Sequence, residues 1–305
     1  MKGERIMGNV IQIENLTKSF GDFKALDQVN FEVKEGEVFG FIGPNGAGKS
    51  TTIRVLLGIL KGTEGKATIF GKDVWEDAME IHERIAYVPG DVNLWPNLTG
   101  GEVIDLFAKL RGDYKKADRE ALLERYKLDP TKKCRTYSKG NRQKVALVSA
   151  LLSDADLYIF DEPTSGLDPL MENIFQEDVD RLRKEGKSVL LSSHILSEVE
   201  KLCDRVGIIR EGTIIEKGSL EELRHLTRHH VIVESNETLN GLESVDGVHD
   251  VQQDQNKYTF QVDTEKMDAV IKFVSRYSIM KLESAPPTLE DLFMRHYEGA
   301  GGEGE

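Results

Sequence analysis

Four short stretches carry side chains whose types and spacing suit work on phosphate. "GPNGAGKST" fits G-x-x-x-x-G-K-[ST], with Gly43, Gly48, Lys49 and Ser50 at the fixed positions. Glycines let the backbone N–H groups close around phosphate oxygens, and the helix that follows points its positive end at them. Pro44, Asn45, Gly46 and Ala47 complete the loop. Lys49 brings charge to the β- and γ-phosphates, Ser50 offers a hydroxyl to Mg2+, and Thr51 can bond another phosphate oxygen. A ligand-free glycine turn is the plain alternative. The apolar strand pattern before the loop and the helical pattern after it are the context that the phosphate reading requires.

"LYIFDEP" carries Asp161 and Glu162 out of the C-terminal end of an apolar strand, the edge where open α/β sheets bind ligands. Asp161 suits Mg2+, directly or through a water. Glu162 is the better group to orient or deprotonate an attacking water. Alone, such a pair is often a solvated turn; beside a phosphate loop it is half of a hydrolytic site. "SVLLSSH" sets His194 just past another buried strand, from which a polar side chain can reach a γ-phosphate. A lone histidine is more often structural, and only its two partners make this one a candidate. Finally, "YSKGNRQ" places Ser138, Lys139 and Gly140 immediately before "KVALVSALL", a buried-helix pattern, so these residues look like a helix N-terminus prepared for an anion. One chain then has two phosphate sites.

These groups need rigid elements behind them. Apolar alternation in "VIQIENL" and "VNFEVKEGEVFGFIG" predicts strands, and "KSTTIRVLLGIL" has helical spacing ending near Gly58 and Gly62. "GKATIFG" and "IAYVP" are short strand candidates. From "TGGEVIDLFAKLRG" to "ADREALLERYKL" the pattern is helical and strand-free, which predicts a separate helical lobe. "DLYIFDEP", "SVLLSSH" and "RVGIIREGTII" read as strands, with a charged helix from Leu170 to Lys184 between the first two. Strands alternating with helices imply a mainly parallel sheet covered on both faces. From about His229 the pattern changes to strand, loop, strand, strand, helix, strand, helix, and a boundary is expected near Arg224–Arg228. Thr288 and Asp291 have capping-box spacing at the start of the last helix, and the closing "GAGGEGE" reads as disordered.

Composition narrows the classes. At 305 residues the chain can bury a substantial core, and 30% charged with 39% hydrophobic residues is the balance of a soluble globular protein. A formal charge of -13 argues against general nucleic-acid binding, which needs clustered Lys and Arg. Cys134 and Cys203 lack metal-like spacing and read as two reduced thiols; His229 and His230 read as surface or strand residues. No apolar run approaches the ~18 residues that cross a bilayer. "MKGERIMGNV" has no signal-peptide core, so a cytoplasmic protein is expected, with any membrane role supplied by another chain.

With "GPNGAGKST", "YSKGNRQKV", "LYIFDEPTSGLD" and "SSH" in this order, the chain resembles the ATPase subunit of an ABC transporter over roughly Val10 to Leu226. The resemblance implies a P-loop NTPase α/β fold: a mainly parallel sheet, antiparallel N-terminal strands and a helical subdomain, here about 91–152 of an ATPase domain at 8–226. It implies ATP and Mg2+ as cofactors, with Phe20 of "KSFG" stacking on adenine and His194 as the switch histidine. Ser138, Lys139, Gly140 and Asn141 occupy the signature, which holds γ-phosphate on a second ATPase subunit, either a copy or a paralogue. Asp168 matches the loop acid that touches that partner. The "spare" anion site thereby becomes a contribution to another subunit.

Two positions depart from the family pattern. The signature usually has two successive glycines followed by a glutamine; here Lys139 replaces the first glycine and Asn141 the glutamine. In "AYVPGDVNLW", Gly90 stands where a glutamine usually links Mg2+ and water to the membrane subunit, so backbone, water or neighbouring Asp91 must substitute. In this family the helical lobe and that loop receive helices of transmembrane permease subunits, and "VNLWPNL", with Leu94, Trp95 and Leu98, is apolar enough for such a groove. The segment 227–298 resembles the small α+β C-terminal domain of export-type ATPases, followed by a tail at 299–305. The expectation is an export motor, peripheral on the inner face of the membrane. The rival readings are an importer ATPase, a ribosome- or DNA-associated ABC-type ATPase, or a P-loop kinase or switch GTPase with a binding module.

Overall fold

The computed structural model describes residues 8–112, 114–225 and 228–285. Its first unit opens with β1 (Asn9–Phe20), β2 (Phe23–Lys34), β3 (Val38–Ile42), α1 (Lys49–Leu56), β4 (Glu64–Ile69), β5 (Lys72–Asp73), α2 (Ala78–Arg84) and β6 (Ile85–Val88). Helices α3 (Gly100–Leu110), α4 (Lys116–Arg125) and α5 (Lys139–Leu151) follow without an intervening strand. The unit then continues through β7 (Leu157–Asp161), α6 (Pro169–Lys184), β8 (Ser188–Ser193), α7 (Leu196–Leu202), β9 (Arg205–Arg210) and β10 (Thr213–Ser219).

Strands β3, β7 and β8 are apolar on both faces because both faces are covered, and every one of their residues is buried. They belong to a six-stranded sheet of order β10-β9-β3-β8-β7-β6. Within it β3 runs parallel to β8 and β9, and β7 runs parallel to β8 and β6. A second, antiparallel sheet has the order β2-β1-β4-β5. The two sheets share one core: the Phe31 ring of β2 stacks on Phe39 at 5.3 Å and meets Phe41 at 5.0 Å, with Ile11, Leu26, Ile53 and Leu56 around them. Each such buried side chain contributes about 1.5–3 kcal/mol. The α/β class, with a mainly parallel sheet and antiparallel N-terminal strands, is therefore the observed one.

The strand-free middle is a helical lobe. Thr99 caps α3 in a full capping box: its Oγ1 accepts from Glu102 N at 3.1 Å, and its N donates to Glu102 Oε2 at 2.6 Å. Helix α4 is tied to α6 by one buried carboxylate. Asp178, 1% exposed, accepts from Tyr126 Oη at 2.9 Å and Arg125 Nε at 3.2 Å, and pairs with Arg181 at 3.3 Å. Burial, with Asp178's charge and hydrogen bond adding to it, raises the Tyr126 phenol far above its ordinary pKa.

The second unit begins at Gly218, within the last two residues of β10 and ahead of the boundary expected at 226/227. Its first helix, α8 (Leu220–His225), starts in a box of its own, Ser219 N donating to Glu222 Oε2 at 2.7 Å and Glu222 N to Ser219 Oγ at 3.1 Å. The sequence pattern placed that helix with the preceding strands because nothing local marks where contacts cease. There follow β11 (Arg228–Ser235), β12 (Val248–Asp254), β13 (Lys257–Asp263), α9 (Met267–Val274) and β14 (Ile279–Ala285). An antiparallel sheet of order β12-β13-β11-β14 packs Val231, Val233, Phe260 and Val262 with Val270 and Val274 of α9. The expected succession of strands and helix is present through β14. The expected last helix with Thr288 and Asp291, and the tail at 299–305, lie outside the described residues.

Asp178 generates a stability test. Asp178→Ala leaves the Tyr126 hydroxyl buried without its carboxylate acceptor and removes one of the two carboxylates that pair with Arg125, the other being Glu177 at 2.8 Å, so unfolding free energy falls by about 3 kcal/mol. A urea titration followed by circular dichroism measures this, and Tyr126→Phe, which leaves both arginine pairs in place, costs less.

Candidate active site

The order β3-β8-β7 determines what meets at the C-terminal edge of the sheet. The phosphate loop leaves β3, the acidic pair leaves β7, and β8 runs between them with His194 one residue past its end. The register aligns Ile42 with Ser193 and Asp161 with Ser192. Lys49, 5% exposed at the start of α1, donates from Nζ to the Gly43 carbonyl at 2.6 Å and the Pro44 carbonyl at 3.1 Å. Its Nζ also lies 3.4 Å from Glu162 Oε1, and His194 Nδ1 lies 3.3 Å from the same oxygen. Lysine, carboxylate and imidazole are therefore gathered at one point beside a loop built for phosphate. A carboxylate so placed can take a proton from water attacking a phosphorus held in that loop.

Glu162 occupies the left-handed region, with φ 48°, a strained conformation for a residue carrying a Cβ. Three bonds hold it there. Its N–H donates to the Ser192 carbonyl at 3.1 Å and to Ser192 Oγ at 3.2 Å, while its own carbonyl accepts from Ser165 N at 3.1 Å. Ser192 is fully buried, and its hydroxyl donates to Asp161 Oδ1 at 2.5 Å. One hydroxyl thus orients both acids. It stands within the "SSH" motif, yet only the strand register reveals what it touches. Asp161 and Ser50 present hard oxygens, the donor chemistry that Mg2+ takes alongside phosphate and water. Burial pushes the Tyr87 phenol up to about 12, and the nearby Asp161 charge adds to that shift.

Gly90 has a steric explanation. A Cβ built there would lie 3.0 Å from the Asp161 carbonyl and 3.6 Å from Glu162 Cβ, so this loop packs backbone to backbone against the acidic turn. A side chain at this position would require the Asp161 carbonyl to give by a few tenths of an ångström. Asp91 is exposed and its carboxylate accepts from Asn93 at 3.4 Å.

The signature residues are the first turn of α5 itself. The helix begins at Lys139, ahead of "KVALVSALL", and Ser138 is its N-cap, accepting at Oγ from Asn141 N at 3.3 Å. The turn packs on the loop after β7. A Cβ on Gly140 would sit 2.3 Å from the Gly166 carbonyl, so glycine is required for this approach. Lys139 Nζ donates to Ser165 Oγ at 2.7 Å. Asp168 is exposed and caps α6, accepting at Oδ1 from Met171 N at 3.0 Å. Phe20 is 50% exposed at the end of β1, with the Lys18 ammonium 5.0 Å from its ring centre, so it is not a core aromatic. Gly48 would meet Leu26 and Ala25 of β2 if it carried a Cβ, which sets the phosphate loop against the strand that follows the Phe20 turn.

Sequence reasoning also passed over Glu198. Burial raises its carboxyl above the usual range, against the pull of hydroxyls donated to Oε2 by Thr164 and Ser193, each at 3.2 Å. Thr164 lies in the loop after β7 and Ser193 directly precedes His194, so Glu198 joins the two segments. Both cysteines are buried, and burial raises both thiols, Cys203 well above its ordinary value.

Residues 26–165 match the family model described as "ABC transporter", and residues 218–297 match "ATP-binding protein DrrA1-3-like, C-terminal domain". An uncharacterized ABC transporter ATP-binding protein of Bacillus subtilis, YhaQ, is 34% identical over 93% of this chain and 97% of its own length. The bacitracin transport ATP-binding protein BcrA of Bacillus licheniformis is 35% identical over 95% of this chain and 97% of its own. Among solved structures, the dimeric post-hydrolysis state of the ATP-binding cassette MJ0796 with ADP and Pi superposes with a TM-score of 0.62. It is 27% identical and covers 69% of this chain and 98% of that one.

Ser192 and Gly90 make a paired test. Ser192→Ala frees the Asp161 carboxylate and one bond to Glu162 N, and lowers kcat for hydrolysis about tenfold with little change in nucleotide affinity. The Mg2+ concentration for half-maximal rate rises, and Ser192→Thr, which keeps the hydroxyl, recovers the rate. Gly90→Ala pushes on the same turn from the other side and lowers kcat likewise. Steady-state kinetics with Mg2+ titration reads all three.

Proposed function

The chain belongs to the family of ABC transporter ATP-binding proteins and is an ATP hydrolase, and on that premise we propose that it is the motor subunit of an exporter. The observation that carries the catalytic part is the convergence of Lys49 and His194 on Glu162 Oε1, at 3.4 Å and 3.3 Å, beside the phosphate loop. The loop amides and Lys49 hold the β- and γ-phosphates, and Phe20 offers its exposed ring to adenine. Ser50 and Asp161 hold Mg2+, which when bound neutralises charge on the phosphates. Glu162 orients the attacking water and accepts its proton. His194, with a proton on Nδ1, donates to Glu162 and keeps the carboxylate in place.

The signature turn serves a second ATPase subunit, a copy of this chain or a paralogue. Ser138, Gly140 and the amides at the start of α5 complete a site whose phosphate loop belongs to that partner, and Asp168 meets the partner beside it. ATP binds the closed pair better than the open one, and this difference in affinity is the free energy available to move the permease subunits. Hydrolysis and phosphate release reopen the pair.

A cavity of about 320 Å³ between the Gly90 loop and the helical lobe supports a permease contact; Tyr87, Val92, Leu94, Phe107 and Val145 line it. Trp95, 52% exposed, and Phe107, 40% exposed, extend its rim with rings 6.1 Å apart. Attachment to the inner face of the membrane runs through those permeases; among the described residues no helix is long and apolar enough to cross a membrane. Export is supported by the bacitracin transport relative and by the DrrA-like match of the second unit. The cargo class that fits is a drug, antibiotic, lipid or polymer.

Two experiments test this reading. Glu162→Gln binds ATP, loses hydrolysis and accumulates as an ATP-dependent dimer on size exclusion; rapid turnover by that variant removes Glu162 from the chemistry. Trp95→Glu places a charge on the apolar rim, abolishes transport in vesicles containing the native permease and leaves the ATPase rate of the isolated chain within about twofold. Normal transport by that variant sinks the groove assignment.

A further inference from the structure

The lysine in place of the first signature glycine has a defined partner. Lys139 lies at the first position of α5, and its ammonium donates to Ser165 Oγ at 2.7 Å. Its methylenes run along Gly166, whose φ is 82° and whose added Cβ would lie 3.3 Å from Lys139 Cγ and Cδ. Immediately next to it, Gly140 and Gly166 touch through backbone atoms. Ser165 in turn donates its N–H to the carbonyl of Glu162 at 3.1 Å. A continuous set of contacts therefore runs from the signature turn, through Ser165, to the backbone of the acid beside Lys49.

We infer that Lys139 is a positioning residue that clamps the signature turn to the Ser165–Asp168 loop, so that both meet a partner subunit as one preformed surface. With glycine at this position, backbone contact alone would hold the turn to the loop. Lysine adds a charge-assisted hydrogen bond and a stretch of apolar packing, which lowers the conformational entropy lost when the two segments are ordered together. Lys139 thus acts through Ser165, not by reaching a phosphate. Because Ser165 is also bonded to the Glu162 turn, the clamp links the acid of one nucleotide site to the signature offered to the other. This inference rests on the paired-subunit reading above.

The test is a double-mutant cycle in the hydrolysis-deficient Glu162→Gln chain, with ATP-dependent dimerisation measured by analytical ultracentrifugation. Lys139→Met keeps the methylenes over Gly166 and removes the ammonium; Ser165→Ala removes the acceptor. Each single change weakens the ATP-bound dimer about fivefold, the scale of one partly solvated hydrogen bond, and the double variant is no weaker than either single one. Lys139→Arg, which retains donors, recovers most of the affinity. Effects that multiply in the double variant mean that Lys139 acts independently of Ser165, as it would by meeting a phosphate directly, and overturn the inference. A Lys139→Met dimer of unchanged affinity overturns it as well. If the Glu162→Gln parent forms no ATP-dependent dimer, the paired-subunit reading itself fails; that outcome is visible before any change at Lys139 is compared.

Discussion

Strand β8 has to run parallel between β3 and β7, in one register, for the chemistry to assemble. That register sets Ser192 opposite Asp161 and Ser193 opposite Ile42. It is enforced by burial: a slip of one residue would exchange the sides of "SVLLSS" in a strand that is buried throughout. Because all three strands are fully buried, the polar side chains at their ends must satisfy one another. Ser192 does this by donating to Asp161 and accepting from the Glu162 amide. A sheet-packing requirement and the geometry of the candidate site are therefore met by the same atoms.

The positive φ of Glu162 follows from this arrangement. A strained turn persists only when its surroundings over-determine it, and here Ser192 from β8, Ser165 from the following loop and the close backbone of Gly90 all bear on it. Glu198 ties the neighbouring segments together, holding the hydroxyls of Thr164 and Ser193 on one buried carboxyl oxygen. The loops around the acids form a hydrogen-bonded frame in which a change at one segment is felt at the next.

The sequence made the fold class legible because the signals were strong and local. Three apolar strands ended in chemistry-bearing residues, a glycine loop preceded a helix, and a strand-free stretch between them became α3, α4 and α5. Lys49 as a phosphate-binding candidate and Glu162 and His194 as catalytic candidates are legible for the same reason, and the structure places the three side chains together. The start of α5 was set too late, because Ser138 to Asn141 look polar and loop-like while their backbone is already the capped first turn. The division at Gly218 is not legible in the sequence pattern, since a capped helix looks the same whichever unit it belongs to.

What the sequence by itself determined is the set of reactive groups and the elements that carry them, since these depend on residue type and on spacing along one strand or helix. What only the tertiary structure decided is how residues distant in the chain meet. Ser192 contacts Asp161 across 31 positions, and Lys139 contacts Ser165 across 26. Gly90, which looked like a missing side chain, proved to be a point of close approach to the acidic turn. The physical reason is that a hydrogen bond or a steric contact is a property of two surfaces, and periodicity along a chain encodes only one surface at a time.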